Sequence, residues 1–251
     1  MKKLFSLMML LSLLLPAVTP LAHARGETPQ PGLVRVVADS SGGSAEVDFT
    51  ALGYKARRLK GPYAVASYYF SLPAHWQPKE GAQLQLDLDS WGVDSATETG
   101  GLLEVSLNDV RLDTVPVTLN RAQTLTLDIP AEAFATSGET PRHRLKVVFE
   151  NDEACGTNQH ANVQILPESR LLVPFSVTEF APDLAHLPYP IFQQTFIPEQ
   201  AALVVPSQPT AAELQAALTV ASGFGRMTGG DLPLALVSED RLTPEIKESS
   251  Q

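Results

Sequence analysis

The chain has 251 residues, a formal net charge of −10 and a single cysteine, Cys155. Its densest group of positive charge is Lys55, Arg57, Arg58 and Lys60, and a phosphate backbone is held chiefly through Lys and Arg, so nucleic acid is not expected as a partner. One cysteine can neither close a disulfide within the chain nor build a thiolate metal cluster; it is either a small buried hydrophobe or a thiol awaiting a partner chain.

The chain opens with Met1, Lys2 and Lys3, an apolar run from Leu4 to Leu15, then Pro16 and Pro20, then Ala22-His23-Ala24. A charged start, a short apolar stretch and a small-x-small triplet are the pattern of a secretory signal peptide over residues 1–24, with the mature chain starting at Arg25. A spanning helix needs about 20 apolar residues, and Pro16 interrupts this run earlier. Loss of Lys2 and Lys3 takes the net charge from −10 to −12. No later apolar segment is long enough to cross a bilayer, so any membrane association is expected through another protein or through sequence outside this chain.

From Leu33 to about Phe175, short β-type runs alternate with turn residues. The runs are Leu33 to Ala38, Ala64 to Leu72, Leu84 to Asp89, Leu102 to Asn108, Thr124 to Ile129, Leu145 to Glu150 and Arg170 to Phe175. Leu84, Leu86 and Leu88 oppose Gln85, Asp87 and Asp89, and Leu125, Leu127 and Ile129 oppose Thr124, Thr126 and Asp128, so one face of each strand is buried. Turn signals between runs include Ser41-Gly42-Gly43, Pro78 to Gly81, Gly100-Gly101, Asn108-Asp109 and Ser137-Gly138. Many short antiparallel strands at this spacing argue for a two-sheet sandwich of the jelly-roll or immunoglobulin-like kind over residues 25–175, a length suited to one core.

Over 176–200 the prolines 182, 188, 190 and 198 exclude a long helix or a central strand. This stretch reads as a linker packed on the sandwich through Leu187, Tyr189, Ile191, Phe192 and Phe196. Beyond it the period changes. Ala201 to Val205 is a short apolar run, Thr210-Ala-Ala-Glu213 is a capping-box pattern, and Leu214, Ala217, Leu218 and Ala221 recur at helical spacing until Gly223 and Gly225, which are expected to stop the helix. Leu232 to Val237 is a second apolar strand, and Thr243-Pro244-Glu245 starts a further helix. Strand, helix, strand, helix opens an α/β domain with a parallel sheet. Such a sheet needs cover on both faces, so residues 201–251 are expected to be part of a larger domain.

The densest carboxylate cluster lies between Asp87 and Glu98. Counted from Asp87 it matches a calcium loop at positions 1, 3, 6 and 12, but position 5 is Trp91 and a strand precedes it, against that reading. Paired carboxylates among Asp87, Asp89, Asp94 and Glu98 would serve a glycosidase only across a cleft. Trp76 and Trp91, with Tyr63, Tyr68 and Tyr69, are the aromatics available to stack on sugar rings if exposed. Trp91, Trp76 and Tyr68 are the candidates for carbohydrate binding; Trp91 is placed in a loop, and of the adjacent Tyr68 and Tyr69 at most one is core. Five histidines, His23, His75, His143, His160 and His186, lack metal-ligand spacing. Ser222 of Ser222-Gly-Phe-Gly225 falls at the end of a helix and so is not a nucleophile elbow, and Gly223, Gly225, Gly229 and Gly230 follow a helix where a phosphate loop would precede one.

Tyr69-Phe-Ser-Leu-Pro-Ala-His-Trp76, then Leu84-Gln-Leu-Asp-Leu88, then Leu103-Glu-Val-Ser-Leu-Asn108, then Leu125-Thr-Leu-Asp-Ile-Pro130 resemble the first sandwich of the periplasmic regulatory subunit of bacterial cellulose synthase. Leu187-Pro-Tyr-Pro190, Ala202-Leu-Val-Val-Pro206 and the helix ending at Gly225 are similar to that family's passage into its first flavodoxin-like domain. The resemblance implies alternating carbohydrate-binding-like sandwiches and flavodoxin-like domains, a C-terminal membrane anchor, and a periplasmic place at the inner membrane. It implies two partners, the membrane-embedded cellulose synthase catalytic subunit and the β-glucan polymer, and a non-catalytic role in guiding that polymer. The family name mentions cyclic di-GMP, which is understood to act on the catalytic subunit; no site for it, and no cofactor, is expected here. The fold expectation is thus mainly β: a jelly-roll-like β-sandwich followed by the start of an α/β, flavodoxin-like domain. The rival readings are a stand-alone carbohydrate-binding or adhesive module and a secreted glycoside hydrolase.

Overall fold

The structure, a computed structural model, describes residues 32–92, 99–135, 142–151, 161–179, 183–197 and 199–243. In chain order the strands of the sandwich are β1 (Val34–Asp39), β2 (Gly42–Asp48), β3 (Arg57–Lys60), β4 (Tyr63–Ser71), β5 (Trp76–Pro78), β6 (Ala82–Trp91), β7 (Thr99–Leu107), β8 (Val110–Thr118), β9 (Arg121–Ile129), β10 (Arg142–Glu150), β11 (Asn162–Ile165) and β12 (Arg170–Val177). The expected runs are β1, β4, β6, β7, β9, β10 and β12. The short or polar β2, β3, β5, β8 and β11 are additions that the pattern of hydrophobic residues does not announce.

The strands form an eight-stranded and a four-stranded antiparallel sheet. The spine of the larger sheet is β6, whose leucines at 84, 86 and 88 are all buried. One edge of β6 carries β9 in unbroken register from Ala82↔Ile129 to Ser90↔Arg121. The other edge is shared, with β12 pairing at Gln83–Gln85 and β11 at Leu88–Trp91. β12 continues to β2 and then β1 on its far side, β5 extends it beyond β6, and β3 closes the other end against β11. The smaller sheet runs β4-β10-β7-β8. Between the two sheets Phe49, Phe70, Leu86, Leu107, Val147 and Phe149 are buried in one continuous core. Asn108 and Asp109, both at positive φ (48° and 69°), make the two-residue turn from β7 to β8, a backbone form in which Asn and Asp are tolerated and which matches the strand twist.

After the sandwich, β13 (Ala201–Val205) and β14 (Leu234–Ser238) pair in parallel, joined through α1 (Ala211–Met227). The capping box forms: the Thr210 hydroxyl accepts from the Glu213 N–H at 3.3 Å and Glu213 Oε2 accepts from the Thr210 N–H at 2.7 Å. The helix does not stop at Gly223 and Gly225 as expected but runs through both to Met227. A glycine in a helix costs about 1 kcal/mol yet keeps its N–H, so the hydrogen-bond ladder continues. The break comes at Gly229 and Gly230, where φ is 65° and 88°. Of the expected linker anchors, Phe196 reaches the core, joined by Ile197; Leu187, Tyr189 and Phe192 are half-buried and Ile191 is exposed. The signal-peptide segment, Cys155, Asp94, Glu98, the Ser137-Gly138 turn and the helix start at Pro244 lie outside the described residues.

Candidate functional site

Because β6 buries its leucines, its alternate residues Gln83, Gln85, Asp87, Asp89 and Trp91 stand on the outer face of the eight-stranded sheet. Each meets polar neighbours across the strands. Asp87 lies beside Thr124, whose hydroxyl donates to its carboxylate at 2.5 Å, and accepts from Gln85 Nε2 at 3.3 Å. Gln83 Nε2 donates to Asp128 at 3.0 Å. Asp89 is in register with Gln164 of β11, which is in register with Arg58 of β3. The result is a row of donors and acceptors that extends, at about 3.3 Å per residue, roughly 26 Å from Gln83 to Trp91.

Trp91 closes this row. It is the last residue of β6 and not part of a loop, because Asn162 of β11 pairs opposite it. The indole is half-buried, with the Arg58 guanidinium 5.1 Å from its ring centre. Arg58 is itself held in place by two hydrogen bonds from its Nε and Nη2 to Asn162 Oδ1, at 3.0 and 2.8 Å. An aromatic ring fixed beside a guanidinium offers an apolar face and charged hydrogen-bond donors together, the combination a sugar ring requires. Arg58 belongs to the basic group visible in the sequence; Asn162 and Gln164 have no local signal, since only pairing with β6 brings them here.

The other two candidates are elsewhere. Trp76 is 8% exposed, stacked on Phe175 with ring centres 3.6 Å apart and a 7° tilt, with the edge of Phe196 at 6.2 Å. It clamps the segment after the sandwich onto the sheet, and its faces are taken. Tyr68 is 2% exposed and lies between Phe49 and Tyr54, 4.5 and 4.9 Å from their ring centres. Burial pushes its phenol above the usual range, and its hydroxyl has no hydrogen-bond partner among the described residues. Both are core residues, a correction to their place among the sugar-binding candidates: pairing of β5 with β12 and of β4 with β10 turns them inward. The adjacent Tyr69 is the exposed member of its pair and carries the Arg142 guanidinium 4.7 Å from its ring. Tyr63, earlier on the same face of β4, is 59% exposed.

Asp87 and Asp89 are consecutive outward positions of one extended strand, so they neither wrap a cation nor face each other across a groove. Among the described residues no group of three or more His, Cys, Asp or Glu is placed to hold a metal ion. Also among them, no helix is long and apolar enough to cross a membrane.

Residues 43–176 match the family described as cellulose synthase BcsB, first CBM domain. Among curated proteins, the uncharacterized protein YdaN of Bacillus subtilis (strain 168) is 32% identical over 80 residues, 32% of this chain. The match spans only 11% of that protein's length. Among solved structures, a family 35 carbohydrate binding module from an environmental isolate aligns over 48% of this chain and 72% of its own, at 18% identity and a TM-score of 0.29. A family two carbohydrate esterase from Clostridium thermocellum, in complex with cellohexaose, aligns over 79% of this chain and 45% of its own, at 9% identity and a TM-score of 0.23.

Proposed function

The chain belongs to the cellulose synthase BcsB family through its first CBM domain, and on that premise we propose that it is a non-catalytic accessory subunit of cellulose synthesis that holds the β-glucan along the outer face of β6. The observation that carries the reading is the uninterrupted polar row from Gln83 to Asp89 ending on Trp91 and Arg58. A neutral glucan offers hydroxyls on its edges and C–H groups on its ring faces. Gln, Asp, Thr and Arg side chains answer the first, and an indole answers the second. In this reading the partners are the polymer and the membrane-embedded catalytic subunit, and the protein works in the periplasm beside the inner membrane. The domain layout that goes with it is a signal peptide over 1–24, the sandwich over 25–175, the linker over 176–200, and the start of a flavodoxin-like domain over 201–251, in which β13, α1 and β14 are the opening strand-helix-strand.

The test is calorimetric titration of the purified chain with cellohexaose. Binding is expected, and Trp91→Ala is expected to weaken it about tenfold, equivalent to ~1.4 kcal/mol, without change in thermal stability. Tyr69→Ala, on the other sheet, is expected to leave affinity unchanged. Absence of binding by the unsubstituted chain, or release of shorter sugars during the titration, would overturn the proposal. Its cellular half is tested by deletion of the gene, which is expected to abolish polymer synthesis.

A further inference from the structure

β1 ends the eight-stranded sheet, with β2 as its one neighbour in that sheet among the described residues. Five of its six residues are exposed, including Val36 at 39% and Val37 at 58%. A long, exposed, apolar edge strand presents unpaired backbone groups and is a template for another strand.

The backbone polarity of that edge is readable. The Asp48 N–H donates to the Leu33 carbonyl at 3.0 Å, and the register continues as Val34↔Val47, Arg35↔Glu46, Val36↔Ala45 and Val37↔Ser44. Hydrogen-bonded and non-bonded pairs alternate along an antiparallel ladder, so Arg35, Val37 and Asp39 direct their backbone groups to β2. The Val37 carbonyl accordingly lies against Gly43, where it would meet any Cβ added to that glycine. Val34, Val36 and Ala38 then direct their N–H and C=O groups to the open edge.

We propose that this edge pairs antiparallel with β1 of a second copy of the chain, across a two-fold axis through Val37. Val36 then faces Ala38 of the second copy in a hydrogen-bonded pair, as the backbone polarity requires. Arg35 faces Asp39 of the second copy, and Val37 faces its equivalent, in the closer non-bonded type of pair. Charge selects this register. Sliding by two residues puts Arg35 or Asp39 opposite Val37, and sliding by four puts a like charge opposite itself. The two-fold makes the Arg35–Asp39 pair twice, so the strand is self-complementary and the contact closes as a dimer. On the same face Glu46, in register with Arg35, accepts from Arg170 at 3.1 Å, so charges of alternating sign run from β12 across the junction.

The experiment is sedimentation equilibrium of the purified chain from low to high micromolar concentration, with a mass rising to twice that of the monomer expected. Val36→Pro removes an outward N–H while leaving the β2 ladder intact, and Arg35→Asp sets like charges opposite; each is expected to raise the dissociation constant at least tenfold with thermal stability unchanged. In a Cys155→Ser background, Val37→Cys places two thiols on Cα atoms about 4.5 Å apart, within disulfide reach. Mild oxidation is expected to give a covalent dimer for Val37→Cys and none for Arg35→Cys. A monomer at every concentration, or equal cross-linking at both positions, would overturn the proposal, the second because it shows association in another register.

Discussion

Replacing His143 with glutamine is expected to flatten the acid side of the stability profile. His143 is 2% exposed, packed between Phe70 and Phe134 with ring centres 5.2 and 5.6 Å away. The Asn108 side chain fixes its protonation. Asn108 Oδ1 accepts from the Arg144 N–H at 2.8 Å, which leaves Nδ2 to donate to the Ala133 carbonyl at 2.8 Å and to His143 Nδ1 at 3.0 Å. Nδ1 is therefore an acceptor, and the ring is neutral with its proton on Nε2. Burial lowers its pKa from 6.5 to about 4, a difference worth about 3 kcal/mol. Above pH 6.5 neither state is protonated and nothing is lost. Between 6.5 and about 4 the unfolded chain takes up a proton that the folded chain refuses, so stability falls by up to ~1.4 kcal/mol per pH unit. Below about 4 both states are protonated and this loss is complete. Urea unfolding at about pH 7 and about pH 4.5 would measure it: the drop between the two is expected to be about 2 to 3 kcal/mol smaller for His143→Gln than for the unsubstituted chain. His75, whose pKa burial also lowers, is present in both proteins and cancels. Equal drops in the two proteins would refute the reasoning, whatever the absolute stability of the variant.

Tyr68→Phe removes a buried hydroxyl that has no partner among the described residues, so urea unfolding should show it neutral or more stable by up to about 1 kcal/mol; a clear loss would mean that the hydroxyl is satisfied in solution. Gly101→Ala should lose about 2 to 4 kcal/mol by the same assay, because Gly101 has φ 129° and an added Cβ would run into the Glu150 carbonyl oxygen.

Most of the sandwich is legible in the residues because its long strands bury one face. Leu84, Leu86 and Leu88 can alternate with Gln85, Asp87 and Asp89 only if one side meets a core and the other meets water. The strands that escape the pattern do so for local reasons. β2 opens with Gly42-Gly43-Ser44, β3 is Arg57-Arg58-Leu59-Lys60 with a single buried residue, and β5 is only Trp76-Gln77-Pro78. β8 contains Pro116, which is tolerated because β8 is the edge of the smaller sheet. Their extended form comes from pairing, not from their own composition.

The same division separates the candidate aromatics. Alternation alone determines that Tyr68 and Tyr69 face opposite ways, that β6 carries its acids outward, and that Thr210 and Glu213 cap a helix, since each follows from the period of a strand or the reach of a side chain along its own segment. Which tyrosine is core, that Trp76 is sealed against Phe175, and that Trp91 stands at a strand end beside Arg58 and Asn162 were decided only by tertiary pairing. Those contacts join residues far apart in the chain, and the free energy of burying a ring depends on the surface brought against it, which no short stretch of sequence contains.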